Sequence, residues 1–141
     1  MRNDQRETPA KVLIADDHLQ DCELLAACLA DEDYQIEIIH DGQQALDSVS
    51  RAQPDLILLD TVLPSISGCE VCRRLKANPE TRDISIIMVT ALAEMGDIQK
   101  ALDANANDFL MKPVNKLELR ARVKTLLELR RLKRWRDELG S

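Results

Sequence analysis

Short apolar runs alternate along the chain with stripes of helical period. KVLIADD (11–17) is an apolar run closed by two adjacent carboxylates, and it predicts a first strand. Within 19–31, Leu24, Leu25, Cys28 and Leu29 recur at helical spacing. QIEIIH (35–40) predicts a second strand. Asp41 is placed to cap the next helix, with Gly42 in its first turn and Ala45, Leu46 and Val49 on its apolar face. Pro54 interrupts before a third strand, 55–59. A helix follows from about Cys69 to Ala77 and is closed by Asn78-Pro79. ISIIMV (84–89) predicts strand four, and a helix near 94–104 turns Ile98, Ala101 and Leu102 inward. Asn105 stands where that helix stops, since Asn tolerates the left-handed conformation better than most residues. DFLM (108–111) predicts strand five, and from Lys116 the pattern is helical almost to the end.

Five strands alternating with five helices predict an α/β fold: a doubly wound parallel sheet, helices on both faces, right-handed crossovers. The unbroken apolar run 56–59 suits a strand buried on both faces. The polar residues then cluster by topology. Asp16 and Asp17 end strand one, Asp60 strand three, Thr90 strand four, and Lys112 strand five. All those ends lie on the carboxyl edge, where open α/β sheets bind their ligands. Three carboxylates brought together repel, and a hard divalent cation, Mg²⁺, suits such an oxygen-rich cluster. Cation, ammonium and hydroxyl are the parts that hold a phosphoryl group while its charge redistributes. Asp60 is then a candidate nucleophile that forms an aspartyl phosphate. Taken singly, paired aspartates cap helices, threonine favours strands and Lys-Pro marks turns. It is their placement at successive strand ends that carries the chemistry.

Composition narrows the reading. The 141 residues suggest one domain, and Tyr34, Phe109 and Trp135 are the only aromatics, so the core is mainly aliphatic. The net charge of −6 is uneven: residues 116–136 carry nine Lys/Arg against two Glu, and the remainder is strongly acidic. An acidic body short of aromatics argues against nucleic-acid binding. No apolar run approaches a membrane span and no export signal is visible, which predicts a cytoplasmic protein with Cys22, Cys28, Cys69 and Cys72 reduced. One Cys69-x-x-Cys72 pair supplies too few ligands for a closed zinc site, and Cys72 reads as a small core residue. Dinucleotide and P-loop glycine motifs are absent.

ADD (15–17), LLDTVLP (58–64), VTA (89–91) and FLMKP (109–113) together resemble the response regulator receiver domain, the CheY-like family of two-component phosphorelays. The resemblance covers roughly 10–127. It implies strand order 2-1-3-4-5, a phosphoacceptor at Asp60, and a histidine kinase or phosphotransfer protein as donor. By position, Asp17 resembles a direct Mg²⁺ ligand, Asp16 a partner acting mainly through water, and the Val62 carbonyl the last protein ligand. Thr90 and Lys112 resemble the switch hydroxyl and the phosphate-binding lysine, Phe109 the switch aromatic. Pro113 is expected to follow a cis bond. Phosphorylation would draw Thr90 inward, Phe109 would fill the vacated space, and the face of helix 4, strand 5 and helix 5 would change its binding preference. Asn105 and Phe109 depart from the commoner glycine and tyrosine. Val62 and Leu92, two residues past Asp60 and Thr90, cannot orient an attacking water, so slow hydrolysis is expected.

Residues 1–10 are polar and are expected to form a flexible tail; the resemblance implies 11–127 as the receiver, with 128–141 as a helical extension or linker. Leu132, Trp135 and Leu139 hint at a coiled-coil seam, too brief to establish one. Such a helix resembles the connector to an output domain, including diguanylate cyclase regulators. A homodimer through the helix 4–strand 5–helix 5 face or this helix is a further expectation. Two rivals stand beside the phosphoacceptor. A haloacid-dehalogenase-like phosphatase would want a second aspartate where Val62 stands. A phosphorylation-independent interaction module would not need Asp17, Asp60, Thr90 and Lys112.

Overall fold

The computed structural model describes residues 8–91 and 95–140, with the backbone alone for 95–98. Five parallel strands form one sheet in the order β2-β1-β3-β4-β5. They are β1 Lys11–Ala15, β2 Gln35–Ile39, β3 Leu56–Asp60, β4 Ser85–Thr90 and β5 Asp108–Met111. The helices between and after them are α1 Leu19–Cys28, α2 Gly42–Arg51, α3 Gly68–Ala77, α4 Met95–Asp103 and α5 Lys116–Gly140. Residues 1–7 of the expected tail, Leu92 and the side chain of Ile98 lie outside the described residues.

Side chains alternate across the sheet with period two, and each face has its own apolar layer. Leu13, Ile57, Leu59, Ile86 and Met88 pack with Ala45 and Val49 of α2, Val71 and Cys72 of α3, and Ala101 and Ala104 at the end of α4. Val12, Ile14, Leu56, Leu58, Ile87 and Val89 pack with Cys22, Leu25 and Cys28 of α1 and with Leu119 and Val123 of α5. β3 is buried along its whole length, and each fully buried aliphatic side chain there contributes about 2 kcal/mol.

The helix ends follow local chemistry. The Asp41 carboxylate accepts from the Gln44 N–H at 2.8 Å, and Ser67 Oγ from the Glu70 N–H at 3.1 Å, which caps α2 and α3. Asn105, just past α4, has φ of 66°. Two expected core positions are corrected. Leu24 and Leu102 are 49% and 57% exposed. In α1 the inward stripe is Cys22, Leu25 and Cys28, and in α4 it runs from Ala101 to Ala104, the residue just past the helix end. Each corrected leucine sits about 100° around its helix from a buried neighbour. Strand four also begins one residue later than expected, and α3 one earlier.

α5 is one continuous helix of 25 residues, roughly 37 Å long. Its far part is not a free arm. Arg130, its side chain 10% exposed, places Nε 3.3 Å from Asp55 Oδ1 and donates from Nη1 to the Asp83 carbonyl. Lys133 Nζ lies 2.7 Å from Asp83 Oδ1, and Arg134 Nη1 3.4 Å from Asp55 Oδ1. These contacts clamp the helix to the residues that lead into β3 and β4, while Leu129, Leu132, Trp135 and Leu139 stay exposed. Asp83→Ala is expected to speed amide exchange across 130–140 several-fold with a global stability loss below about 1 kcal/mol. Unchanged exchange there would show that the clamp holds nothing. Asp55 is the poorer target, because it also accepts from the Lys11 N–H at 2.8 Å.

None of the four cysteines is in a disulfide. Cys72 is buried and donates to the Ala104 carbonyl at 3.4 Å, and burial pushes its thiol up to about 12. Burial, helped by Asp16 and Asp21, pushes the Cys22 thiol up to about 11. A neutral buried thiol is a poor nucleophile. At pH 8 iodoacetamide is expected to modify half-buried Cys69 first, with Cys22 and Cys72 reacting only after unfolding, as read by peptide mass.

Candidate functional site

The same alternation that builds the two apolar layers also sorts the polar residues. Val12 and Ile14 face α1 and α5, and two residues on comes Asp16. Leu56 and Leu58 lead likewise to Asp60, and Leu110 to Lys112. Ala15 pairs in register with Leu59, so Asp16 and Asp60 arrive side by side at the carboxyl edge. Lys112 closes the group. Its Nζ lies 2.8 Å from Asp16 Oδ2, 2.8 Å from Asp21 Oδ2 and 3.1 Å from Asp60 Oδ2. Asp16 and Asp60 are 1% and 5% exposed, whereas Asp17 is exposed.

The opposite parity carries the second half of the group. Ile57 and Leu59 lead to Thr61, and Ile86 and Met88 to Thr90, both towards the α2–α3–α4 layer. Thr61 Oγ1 donates to Thr90 Oγ1 at 3.1 Å, and both residues are buried. Phe109 is half-buried against that same layer. The Val62 N–H donates to Asp60 Oδ1 at 3.1 Å, and the Val62 side chain is exposed. The Lys112–Pro113 peptide bond is cis.

Two glycines hold the 61–67 loop in place by closeness. A Cβ on Gly68 would lie 1.8 Å from the Asp60 carbonyl oxygen, and one on Gly42 1.9 Å from the Ile66 carbonyl oxygen. The Gly68 N–H donates to the Thr61 carbonyl at 3.0 Å, and the Gly42 N–H to the Pro64 carbonyl at 3.1 Å. Backbone packs on backbone at both points, so the loop beside Asp60 is seated on the first turns of α2 and α3.

Charge explains the ionisation of the group. Burial pushes the Asp16 carboxyl up, but the Lys112 ammonium and the His18 backbone N–H outweigh it and hold it below its ordinary range. For Asp60 burial wins over the Val62 N–H and Lys112, and the carboxyl is raised. Burial would lower Lys112, yet its three carboxylate partners hold the ammonium charged well above its usual range. One ammonium faces three aspartates, and Asp17 adds a fourth carboxylate beside them, which leaves the pocket acidic. Oxygens of Asp16, Asp17 and Asp60, with a His18 ring nitrogen, lie within 4.8 Å of one another. That donor set fits a hard divalent cation.

Three participants were not among the expected residues. Asp21, on the first turn of α1, reaches Lys112. His18 follows the aspartate pair directly. Thr61 partners Thr90. A helix starting beside a strand-end carboxylate was the available signal for Asp21. Nothing local marked Thr61.

A family model described as response regulator receiver domain matches residues 12–124. Response regulator PleD of Caulobacter vibrioides is 42% identical over 117 residues, covering 83% of this chain and 26% of that protein. DNA-binding response regulator MtrA of Mycobacterium tuberculosis is 38% identical over 117 residues, covering 83% of this chain and 50% of that protein. The chain thus spans between about a quarter and a half of the length of these curated relatives. Among solved structures, the signal receiver domain of a signal transduction histidine kinase from Syntrophus aciditrophicus superposes with TM-score 0.80 at 34% identity, covering 84% of this chain and 90% of that one. The receiver domain of sensor histidine kinase PA1611 from Pseudomonas aeruginosa, which has a magnesium ion coordinated in its active site cleft, gives TM-score 0.79 at 30% identity, covering 86% and 99%.

Proposed function

Because the chain belongs to the response regulator receiver domain family of two-component systems, we propose that Asp60 accepts a phosphoryl group from a histidine kinase or phosphotransfer protein. The carrying observation is the part-buried Lys112 ammonium that bridges Asp16 and Asp60. An Asp60 carboxylate oxygen attacks phosphorus, the phosphorus–nitrogen bond to the donor histidine breaks, and the imidazole leaves with its electron pair. Lys112 Nζ, already 3.1 Å from Asp60 Oδ2, donates to a transferred oxygen. Thr90 turns its hydroxyl from Thr61 to another.

Asp16, Asp17, Asp60 and the Val62 carbonyl would hold Mg²⁺. Bound there, Mg²⁺ neutralises the charge that builds up on the phosphoryl oxygens. Thr90 and Phe109 then act as the switch, and the α4–β5–α5 face or the C-terminal helix is the surface for a homodimer. The domain is a self-modifying acceptor and not a turnover enzyme. Its setting is cytoplasmic; among the described residues no helix is long and apolar enough to cross a membrane.

Incubation with acetyl phosphate and Mg²⁺, followed by intact mass and multimeric state, tests the reading. One phosphoryl adduct is expected, and none in Asp60→Asn. Repeated release of free phosphate would instead indicate the phosphatase. No adduct in the parent would indicate a passive interaction module. The exposed, apolar Val62 cannot orient a water, so the adduct is expected to outlast minutes at neutral pH. Loss within seconds would remove that part of the reading.

A further inference from the structure

We propose that His18 is a nitrogen ligand of the divalent cation, and that it biases this site from Mg²⁺ towards nitrogen-seeking metals such as Ni²⁺ and Zn²⁺. The inference rests on the proposed function only in taking the acidic cluster to be a cation site.

His18 directly follows Asp16 and Asp17 and sits at the N-cap of α1, where its side chain makes no capping bond. It is turned into the cluster. Nδ1 lies 3.3 Å from Asp16 Oδ1, 3.2 Å from Asp17 Oδ1 and 3.8 Å from Asp21 Oδ2. Adjacent donors on a six-coordinate ion lie about 3 Å apart when each is about 2.1 Å from the metal. The nitrogen therefore stands from two carboxylate oxygens at the spacing of neighbouring ligands. The backbone helps to keep it there: the His18 N–H donates to Asp16 Oδ1 at 2.9 Å. The ring is two-thirds exposed, so a cation meets it from solvent.

The consequence is one of selectivity. Mg²⁺ prefers oxygen ligands and gives up water reluctantly. Imidazole suits Ni²⁺ and Zn²⁺, and affinity for nitrogen-bearing sites rises from Mn²⁺ to Ni²⁺. An all-oxygen pocket would follow the same order with a smaller margin over Mg²⁺. The alternative role for His18 is a simple hydrogen bond or ion pair to Asp16 and Asp17, which predicts no such discrimination.

The test uses the whole chain, with Mn²⁺ as spectroscopic probe and Mg²⁺ and Ni²⁺ in calorimetric titrations. The parent is expected to show imidazole-nitrogen modulation in the pulsed electron-spin spectrum of bound Mn²⁺. His18→Ala should lose it. The second of the two histidines, His40, has Nδ1 3.1 Å from the Asp16 carbonyl, and His40→Ala should keep it. His18→Ala should weaken Ni²⁺ binding about tenfold or more, since even outer-shell partners of a metal are worth that, and Mg²⁺ binding far less. Modulation that persists in His18→Ala, or equal weakening of both metals, would overturn the proposal. So would Mn²⁺ that binds without the modulation; if Asp60→Asn abolishes that binding, the cation site of the proposed function survives. No binding of either Mn²⁺ or Mg²⁺ would instead remove the cation site itself.

Discussion

Gly68→Ala is expected to cost about 3 kcal/mol of stability, because the new methyl meets backbone and not a pliable side chain. Its Cβ would fall 1.8 Å from the Asp60 carbonyl oxygen and 2.8 Å from the carbonyl carbon. Relief requires the end of β3 to move away from α3, and the Asp60 carboxylate moves with it. Lys112 Nζ is 3.1 Å from that carboxylate, so a displacement of about 1 Å breaks the contact and slows a positioned reaction about a hundredfold. The expected outcome is a lowered denaturant midpoint together with much slower adduct formation from acetyl phosphate, measured where both proteins are fully folded. Gly140→Ala is the control, since a Cβ there meets nothing within 4 Å. A Gly68→Ala protein with parental stability and reaction rate would show that Gly68 does not position Asp60.

Removing the Lys112 ammonium is the second large effect. In metal-free buffer Lys112→Ala leaves the buried Asp16 and Asp60 carboxylates without their counter-ion, at about 3 kcal/mol. That corresponds to a midpoint lower by about 10 °C in a domain of this size. On the proposed function the lost charge can be replaced. Four aspartates without the ammonium attract a divalent cation more strongly, so saturating Mg²⁺ should raise the melting temperature of the variant more than that of the parent. An equal Mg²⁺ increment in both proteins would mean that lysine and cation do not share these carboxylates.

The pH dependence has a definite sign. Lys112 is raised in the folded state, so its contribution is complete below its unfolded value and fades as pH climbs through the folded one. Asp16 is lowered, so its contribution is complete above its unfolded value and fades as pH falls through the folded one. Asp60 is raised by burial, so its protonation in acid partly offsets the loss at Asp16. The difference between parent and Lys112→Ala should therefore be a plateau across neutral pH that shrinks towards both extremes.

Much of this was written in the local pattern. Apolar runs flanked by turn residues marked all five strands, and Asp41 and Asn105 marked a helix start and a helix stop. Asp16, Asp60 and Lys112 could be brought to one edge on paper because parallel strands share their direction. Leu24 and Leu102 were misplaced because spacing alone leaves a helix free to rotate, and small residues such as Cys22 and Ala104 take the inward positions when they pack closer.

What belongs to the sequence alone is thus the alternation of strands and helices, their order, and the chemical kind of each strand end. These follow from periods of two and 3.6 residues, which any short stretch displays. Only the folded chain decided the rest: that Asp21 and His18 join the pocket, that Thr61 meets Thr90, that Gly68 presses on the Asp60 backbone, and that Arg130 and Lys133 clamp α5 beside β3 and β4. Each of those last contacts depends on how far a helix is rotated and how closely it approaches the sheet. Packing sets both quantities, and no single segment encodes them.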